Sequence, residues 1–368
     1  MDFKEAVLTT ILKNNNNNYT DNFDRERYGK NDPLEPPKTL KTAVKKVLFK
    51  NRVSIDQQNN NIYKIFNVLV PNFPELEKLY NSLGDDESRS LMVLLLCYKM
   101  MGHRKIKLPL NNEAYFQQLK KMHEIADAKD FVDPNFMHLK LHKFDLNKVN
   151  KNVKLYYVAN GVLIDFIIEQ YKYKSKNVEI GAEAGDVVID AGGCWGDTAL
   201  YFADKVGEKG KVYTYEFIPG NIKILEQNLA LNPALEKNIQ VIKRPVWDKS
   251  NLKVYFKDFG PASRISFEEF EGYTGTTETM AIDDLCKDMS KVDFIKMDIE
   301  GAEPYALEGA KNTIMKFKPK LAIAIYHSMS DFINIPLWIL NLNLGYKIYM
   351  GHYTINEEET VIFAEVGK

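Results

Sequence analysis

Four ionisable side chains in the second half of the chain each follow an apolar stretch and stand where a turn is expected. Carboxylates and an imidazole at such positions can bind cations or hydroxyl groups and can move protons. Three glycines follow the first of these side chains and allow a backbone turn that approaches a ligand closely. The four stretches are VVID, KVYTYE, DFIKMD and LAIAIYH, ending at Asp190, Glu216, Asp298 and His327, and the glycines are Gly192, Gly193 and Gly196.

The stretch VVIDAGGCWGDTAL predicts a strand, a glycine turn and a helix that open a nucleotide-binding βαβ unit. A dinucleotide places its pyrophosphate at the helix N-terminus, where the carboxylate of Asp190 would repel it. S-adenosylmethionine has no phosphate and carries an ammonium and a sulfonium, so Asp190 favours this cofactor. Glu216 stands where an acidic residue binds the ribose hydroxyls of either cofactor class. A dehydrogenase ranks lower, because the turn also lacks a clean GxGxxG pattern.

Strands and helices alternate after residue 176, which predicts an α/β fold with a Rossmann-like, mostly parallel sheet and helices on both faces. The stretch YKIYMGHYTINEEETVIFAEV predicts a closing antiparallel hairpin. A ligand binds beyond the carboxyl ends of the strands in such a sheet. The predicted strands are Asp186–Asp190, Lys211–Phe217, Ile239–Ile242, Phe294–Asp298 and Leu321–His327, and the predicted helices are Thr198–Val206, Gly220–Asn232 and Tyr305–Phe317.

An α+β accessory domain is expected at residues 1–175, before the cofactor-binding domain at 176–368. Its first 70 or so residues, with the Asn14–Asn18 run and Pro36-Pro37, are polar, and we expect them to be partly mobile. A helix is predicted from Asp85 to a stop at Gly102. Asn160-Gly161 between two apolar runs predicts a β-hairpin. The segment Gln170–Asn177 is interpreted as the linker between the domains.

Composition excludes several classes of protein. The chain has 368 residues, 45% hydrophobic and 27% charged, with a net charge of -1, so it offers no global attraction to nucleic acid or anionic membranes. Its three cysteines argue against a disulfide framework, and we expect a reducing cytoplasm. We expect no signal peptide and no transmembrane segment, since the longest apolar run is Leu91–Tyr98. The sequence does not decide between a monomer and a homo-oligomer.

From Val187 to Ala364 the chain resembles the FkbM-type S-adenosylmethionine-dependent methyltransferases. The resemblance rests on VVIDAGGCWGDTA, YEFIPGNIKILEQNLALNP, TMAIDDL, DFIKMDIEGAE, KPKLAIAIYH and GHYTINEEETVIFA. It implies a class I methyltransferase sheet, S-adenosylmethionine as cofactor, and methyl transfer to a hydroxyl oxygen, often on a sugar of a glycan or on a natural product.

The resemblance also implies a set of cofactor-binding residues. The turn from Asp190 to Gly196 would hold the methionine part, and Glu216 the ribose. The residues implied around the adenine and its turn are Phe217, Ile218, Asn221, Val246, Trp247 and Asp248. Family members more often have a small residue where this chain has Trp247.

For the chemistry, we expect His327 to act as the base and Asp298 to orient the acceptor. The unperturbed pKa of a histidine, about 6.5, suits a base near neutral pH. Glu300 is expected to point into the site, and Glu303 to favour the following helix through its dipole. The remaining predicted acceptor contacts are Arg264, beside the Gly260-Pro261 turn and suited to an anionic group, and His352 and Tyr353 in the final hairpin.

A metal ion is not expected, although Asp298, Glu300 and His327 could supply two or three ligands. No dense carboxylate cluster is visible in the sequence. The predicted function is O-methylation of a hydroxyl group, with a sugar of a glycan or glycoconjugate as first choice. A natural-product or lipid hydroxyl is the alternative acceptor, and a non-catalytic module that binds a partner such as a glycosyltransferase is the alternative function.

Overall fold

The computed structural model describes residues 1–29, 32, 69–137 and 139–367. These residues form two compact units. The first contains Met1–Tyr115 and Tyr353–Glu358, and the second contains Phe116–His352 and Glu359–Lys368. Of the region expected to be mobile, residues 30–31 and 33–68, with Pro36-Pro37, lie outside the described residues.

The first unit is helical where the structure describes it. The predicted helix after Asp85 is confirmed: the Asp85 side chain accepts from the Ser88 backbone amide, and Gly102 ends the helix at a φ of 78°. None of the described helices has the length and apolarity needed to cross a bilayer. The helices are α1 Phe3–Asn14, α2 Arg25–Tyr28, α3 Phe73–Ser82, α4 Asp86–Met101 and the start of α5 Glu113–Ile125.

The second unit is built on a seven-stranded sheet with the order β14-β15-β13-β12-β6-β7-β8. All its neighbouring pairs are parallel except those made by β15, which runs antiparallel to both β13 and β14. The strands are almost entirely buried because helices cover both faces. The strands are β6 Val187–Ala191, β7 Lys211–Tyr215, β8 Ile239–Ile242, β12 Phe294–Met297, β13 Lys320–Ala324, β14 Tyr346–His352 and β15 Thr360–Val366.

Smaller sheets and short helices surround this sheet. The small sheets are β1-β2-β3, β10-β9-β11 and β4-β5. Their strands are β1 Asp127–Val132, β2 Leu141–Asp145, β3 Lys154–Tyr157, β4 Tyr173–Lys174, β5 Glu179–Ile180, β9 Lys253–Phe256, β10 Ile265–Ser266 and β11 Gly275–Glu278. The helices are α6 Ala159–Val162, a π-helix Leu163–Ile168, α7 Asp197–Val206, α8 Pro219–Ala230, α9 Pro233–Glu236, α10 Ile282–Leu285, α11 Glu303–Glu308, α12 Lys311–Phe317 and α13 Met329–Asn341, with a 3-10 turn Leu146–Val149.

The predicted α/β architecture is confirmed. All five predicted parallel strands exist, with ends that differ by at most three residues, and the antiparallel hairpin is β14 and β15. The predicted helix Tyr305–Phe317 is divided into α11 and α12. A Cβ on Gly309, between the two, would lie 2.1 Å from the Trp247 carbonyl oxygen, so the chain needs glycine where it bends.

The hairpin predicted at Asn160-Gly161 is wrong. Both residues lie in α6, and the apolar run that follows forms the π-helix instead of a strand. The edge of β3 already has a partner, because Asn228 on α8 and Asn232, just before α9, bind its backbone. Asn228 Oδ1 accepts from the Tyr156 amide at 2.7 Å, and Asn232 Oδ1 accepts from the Lys154 amide at 2.8 Å.

These asparagine contacts also bear on the domain boundary. They join β3 to Asn228 and Asn232, and all of these residues belong to the second compact unit, which begins at Phe116. The domain boundary at residues 175 and 176 stays a prediction. The segment interpreted as a linker begins with buried residues: Gln170 donates to Glu359 at 2.7 Å, and Tyr171 is 4% exposed. Whether the segment connects two domains stays a prediction.

Candidate active site

The glycine turn after β6 is shaped by the neighbouring strand. Gly192 has a φ of 95°, and a Cβ there would lie 1.9 Å from the carbonyl oxygen of Asp298. A Cβ on Gly193 would lie 2.1 Å from Thr214 Oγ1. The amides of both glycines donate to the carbonyl oxygen of Tyr215, at 3.2 and 2.8 Å. The absence of side chains therefore lets the carboxyl ends of β6, β7 and β12 meet.

Asp190 is held by the protein itself. It is fully buried, forms an ion pair with Lys296 at 3.1 Å, and accepts from the hydroxyls of Thr198 and Thr214 at 2.9 and 2.8 Å. Burial favours the neutral form of Lys296 and so lowers its pKa. The negative charges of Asp190 and Asp298 outweigh this effect, and the pKa of the lysine is raised. Lys296 also donates to the carbonyl oxygen of Gly192 at 2.6 Å. In this arrangement Asp190 fixes the glycine turn through Lys296.

Glu216 follows β7 at the same edge of the sheet. One carboxylate oxygen accepts from the amides of Phe217 and Ile218 at 2.7 and 2.8 Å, and the other accepts from Asn221 at 3.2 Å. Burial raises the pKa of Glu216 to about 7, against the effect of these hydrogen bonds. Asn221 thus ties the start of α8 to the end of β7, and its part in cofactor binding stays a prediction.

Residues 179–348 match the family model of the methyltransferase FkbM domain. This part of the chain is a methyltransferase FkbM domain. Its strand order, with one antiparallel strand next to the last, is that of class I methyltransferases, so the predicted fold class is confirmed.

The fold has solved relatives. A methyltransferase FkbM from Methylobacillus flagellatus is 20% identical, with a TM-score of 0.50, and the match covers 80% of this chain and 59% of that chain. The chain thus spans less than two thirds of that relative's length, and the likeness shows the fold alone.

Two more distant structures also match. Fibrillarin from Aeropyrum pernix, in complex with S-adenosyl-L-methionine, is 15% identical over 56% of this chain and 73% of that chain, with a TM-score of 0.34. A SAM-dependent methyltransferase from Aquifex aeolicus is 15% identical over 61% and 100%, with a TM-score of 0.33. No curated protein matches the chain.

In the FkbM domain, Asp298 and His327 are brought together. His327 Nε2 lies 3.4 Å from Asp298 Oδ1, and His327 Nδ1 lies 3.2 Å from Glu303 Oε1. Burial opposes protonation of His327, but the two carboxylates raise its pKa to about 9. The imidazole is therefore protonated at neutral pH in this state, and the expected role as a base requires that it first lose this proton.

Tyr171 and Tyr326 position Asp298, and sequence reasoning missed both. Tyr171 donates to Asp298 Oδ2 at 3.0 Å, and Tyr326 donates to Asp298 Oδ1 at 3.1 Å. Tyr326 directly precedes His327, a signal that was available in the sequence. Tyr171 lies 127 residues from Asp298 along the chain, and no local pattern connects the two.

Tyr157 and the buried carboxylates Asp165 and Asp197 form a second cluster of ionisable side chains, which sequence reasoning missed. Asp197 directly follows Gly196, the last glycine of the turn. The hydroxyl of Tyr157 donates to Asp165 at 2.8 Å and lies 3.1 Å from Asp197 Oδ2. Burial raises the pKa of Asp197 to about 6 and, together with the charge of Asp197, raises that of Asp165 well above its usual range. Asp197 Oδ1 is buried without a hydrogen bond.

Trp247 has an aromatic partner of its own. It stacks on Tyr305 with ring centroids 4.2 Å apart and also packs against Phe267. Val246 is buried and forms an isolated parallel bridge with Met280, while Asp248 is half-buried. Whether these residues contact adenine stays a prediction.

The predicted acceptor contacts are dispersed. Glu300 follows Asp298 in a turn with a φ of 58°, and burial, followed by the charge of Asp298, raises its pKa to about 7. Arg264 is exposed, just before β10. His352 ends β14, where its Nδ1 lies 2.9 Å from Thr360 Oγ1. Tyr353 belongs to the first compact unit. Glu300 lies beside Asp298, and the acceptor contacts of Arg264, His352 and Tyr353 stay predictions.

Proposed function

We propose that the protein is an S-adenosylmethionine-dependent O-methyltransferase that acts on a hydroxyl group, with a sugar of a glycan or glycoconjugate as the preferred acceptor and a cytoplasmic location. The observation that carries the proposal is the meeting of the glycine turn and Glu216 at one edge of a class I sheet. Buried carboxylates fit this cofactor: the free oxygen of Asp197, next to the turn, suits its ammonium group.

S-adenosylmethionine supplies the methyl group and the positive sulfur that makes its carbon electrophilic. With the cofactor bound, the acceptor oxygen would bond to this carbon as the carbon–sulfur bond breaks. The electron pair of the broken bond would stay on sulfur, and the hydroxyl proton would pass to a base. The main task of the residues around Asp298 is to hold the acceptor oxygen in line. The assignment of His327 as base and Asp298 as orienting group belongs to the proposal.

We expect Glu216 to make cofactor binding depend on pH. Its pKa of about 7 means that the carboxyl is ionised at pH 8 and mostly neutral at pH 6. Because the ionised form accepts hydrogen bonds from ribose hydroxyls, affinity for S-adenosylhomocysteine should fall about tenfold from pH 8 to pH 6. Calorimetric titration at both pH values measures this change.

Glu216→Gln is the matched variant, because its amide oxygen can still accept from the backbone amides of the turn. This variant should bind S-adenosylhomocysteine more weakly than the wild type, and its affinity should no longer show the contribution of Glu216 to the pH dependence. NADH serves as the control ligand. If a folded wild-type protein did not bind S-adenosylhomocysteine, the cofactor proposal would fail and the binding-module alternative would replace it.

The acceptor class is tested with S-adenosylmethionine labelled in its methyl group. We expect the label to appear in an oligosaccharide fraction, as a methyl ether on a sugar carbon. Transfer to a lipid or natural-product fraction alone would instead support the alternative acceptor. Glu216→Gln serves as the low-activity control in both assays.

A further inference from the structure

The side chains of Asp298, Glu303 and His327 converge at the carboxyl ends of β12 and β13. Each offers an oxygen or nitrogen ligand atom, and the three atoms lie within 4.8 Å of one another. Sequence analysis indicated Asp298 and His327 as possible ligands together with Glu300, whereas the structure brings Glu303 to them. The convergence is therefore a property of the folded protein.

The spacing of Asp298 and His327 suits a shared ion. Two adjacent ligands, each about 2.1 Å from an octahedral ion, lie about 3.0 Å apart, so a small side-chain rotation that shortens the separation by a few tenths of an ångström would let both bind. His327 Nε2 and Asp298 Oδ1 are 3.4 Å apart. Neither ring nitrogen of His327 makes a hydrogen bond of good geometry, although the side chain is only 9% exposed.

Glu303 and two tyrosines provide the support that metal sites require. Glu303 Oε1 accepts from the Ile299 amide at 2.7 Å and lies 3.2 Å from His327 Nδ1. A carboxylate on one imidazole nitrogen directs the other nitrogen toward a metal. Tyr171 donates to Asp298 Oδ2, and the Tyr326 hydroxyl lies within hydrogen-bond distance of both carboxylate oxygens, so the two tyrosines fix the orientation of the carboxylate.

We propose that Asp298 and His327 Nε2 bind a divalent cation of the magnesium and manganese type, with Glu303 orienting the imidazole. Carboxylate ligands suit such ions, and Glu300 in the same turn adds a nearby negative charge. A cation here would lower the pKa of an acceptor hydroxyl bound to it. This catalytic role rests on the proposed function and would replace His327 as the base, because Nε2 would hold the ion and Nδ1 faces Glu303. Binding of the ion does not rest on the proposed function.

The test is titration of the chelator-treated full chain with Mn²⁺, with free Mn²⁺ measured by electron paramagnetic resonance, with and without S-adenosylhomocysteine. We expect one saturable site from which Mg²⁺ displaces Mn²⁺. Asp298→Asn and His327→Gln should weaken binding at least about tenfold, and Glu303→Gln should weaken it by 10- to 100-fold. Circular dichroism confirms that each variant is folded.

Glu226→Gln, which removes an exposed carboxylate paired with Lys243, is the control and should bind Mn²⁺ like the wild type. No saturable site in folded wild-type protein, or equal binding by the Asp298 and Glu226 variants, would overturn the metal proposal. Calorimetry with S-adenosylhomocysteine on the same metal-free samples reports on the cofactor site separately, so failure of one proposal is distinguishable from failure of the other.

Discussion

Gly192→Ala is expected to lose at least about 3 kcal/mol of unfolding free energy, together with binding of S-adenosylhomocysteine. The new Cβ would lie 1.9 Å from the carbonyl oxygen of Asp298, and the residue has a φ of 95°. Since this oxygen belongs to the backbone at the end of β12, relief requires a strand or the turn to move. Urea unfolding and calorimetry measure the two losses.

Gly185→Ala is the matched control. Gly185 has a φ of 87°, similar to that of Gly192, but a Cβ there meets nothing within 4 Å. Gly185→Ala should lower the unfolding free energy only by the backbone strain of a non-glycine residue, about 1 kcal/mol, and should leave binding of S-adenosylhomocysteine intact. Equal losses in the two variants would show that strain, not close approach to Asp298, explains the glycine at 192.

Lys296→Met should destabilise the protein by about 3–5 kcal/mol, because it leaves the charge of Asp190 buried without its cation. Both side chains are almost inaccessible, at 1% and 0% exposure, so water cannot replace the lost partner. The substitution also removes the hydrogen bond to the Gly192 carbonyl oxygen. Urea unfolding at pH 7 measures the change.

The double variant Lys296→Met with Asp190→Asn should lose less stability than the sum of the two single variants, by at least about 1 kcal/mol. The surface pair of Lys291 and Asp293, 2.9 Å apart, provides the control: Lys291→Met should cost less than about 1 kcal/mol. Strict additivity of the Lys296 and Asp190 variants would contradict the proposed pairing.

The sequence predicted the FkbM domain well because its signals are local. Apolar strands, a glycine turn and polar residues at strand ends are properties of short segments, and they placed Asp190, Glu216, Asp298 and His327 at one edge of the sheet. The predictions failed where a local signal competed with distant partners. Asn160-Gly161 is a strong hairpin signal, but Asn228 and Asn232 bind the edge of β3.

The parallel strands of the large sheet, the helices between them and the glycine turn were therefore determined by the sequence itself. Only the tertiary structure decided which side chains share a site. The parallel register of β12 and β6 makes Lys296 and Asp190 neighbours, so Asp190 is bound to a lysine 106 residues away. The same packing places His327 between Asp298 and Glu303, where their charges raise its pKa to about 9. Such contacts depend on strand register and on helix packing, which no short segment encodes.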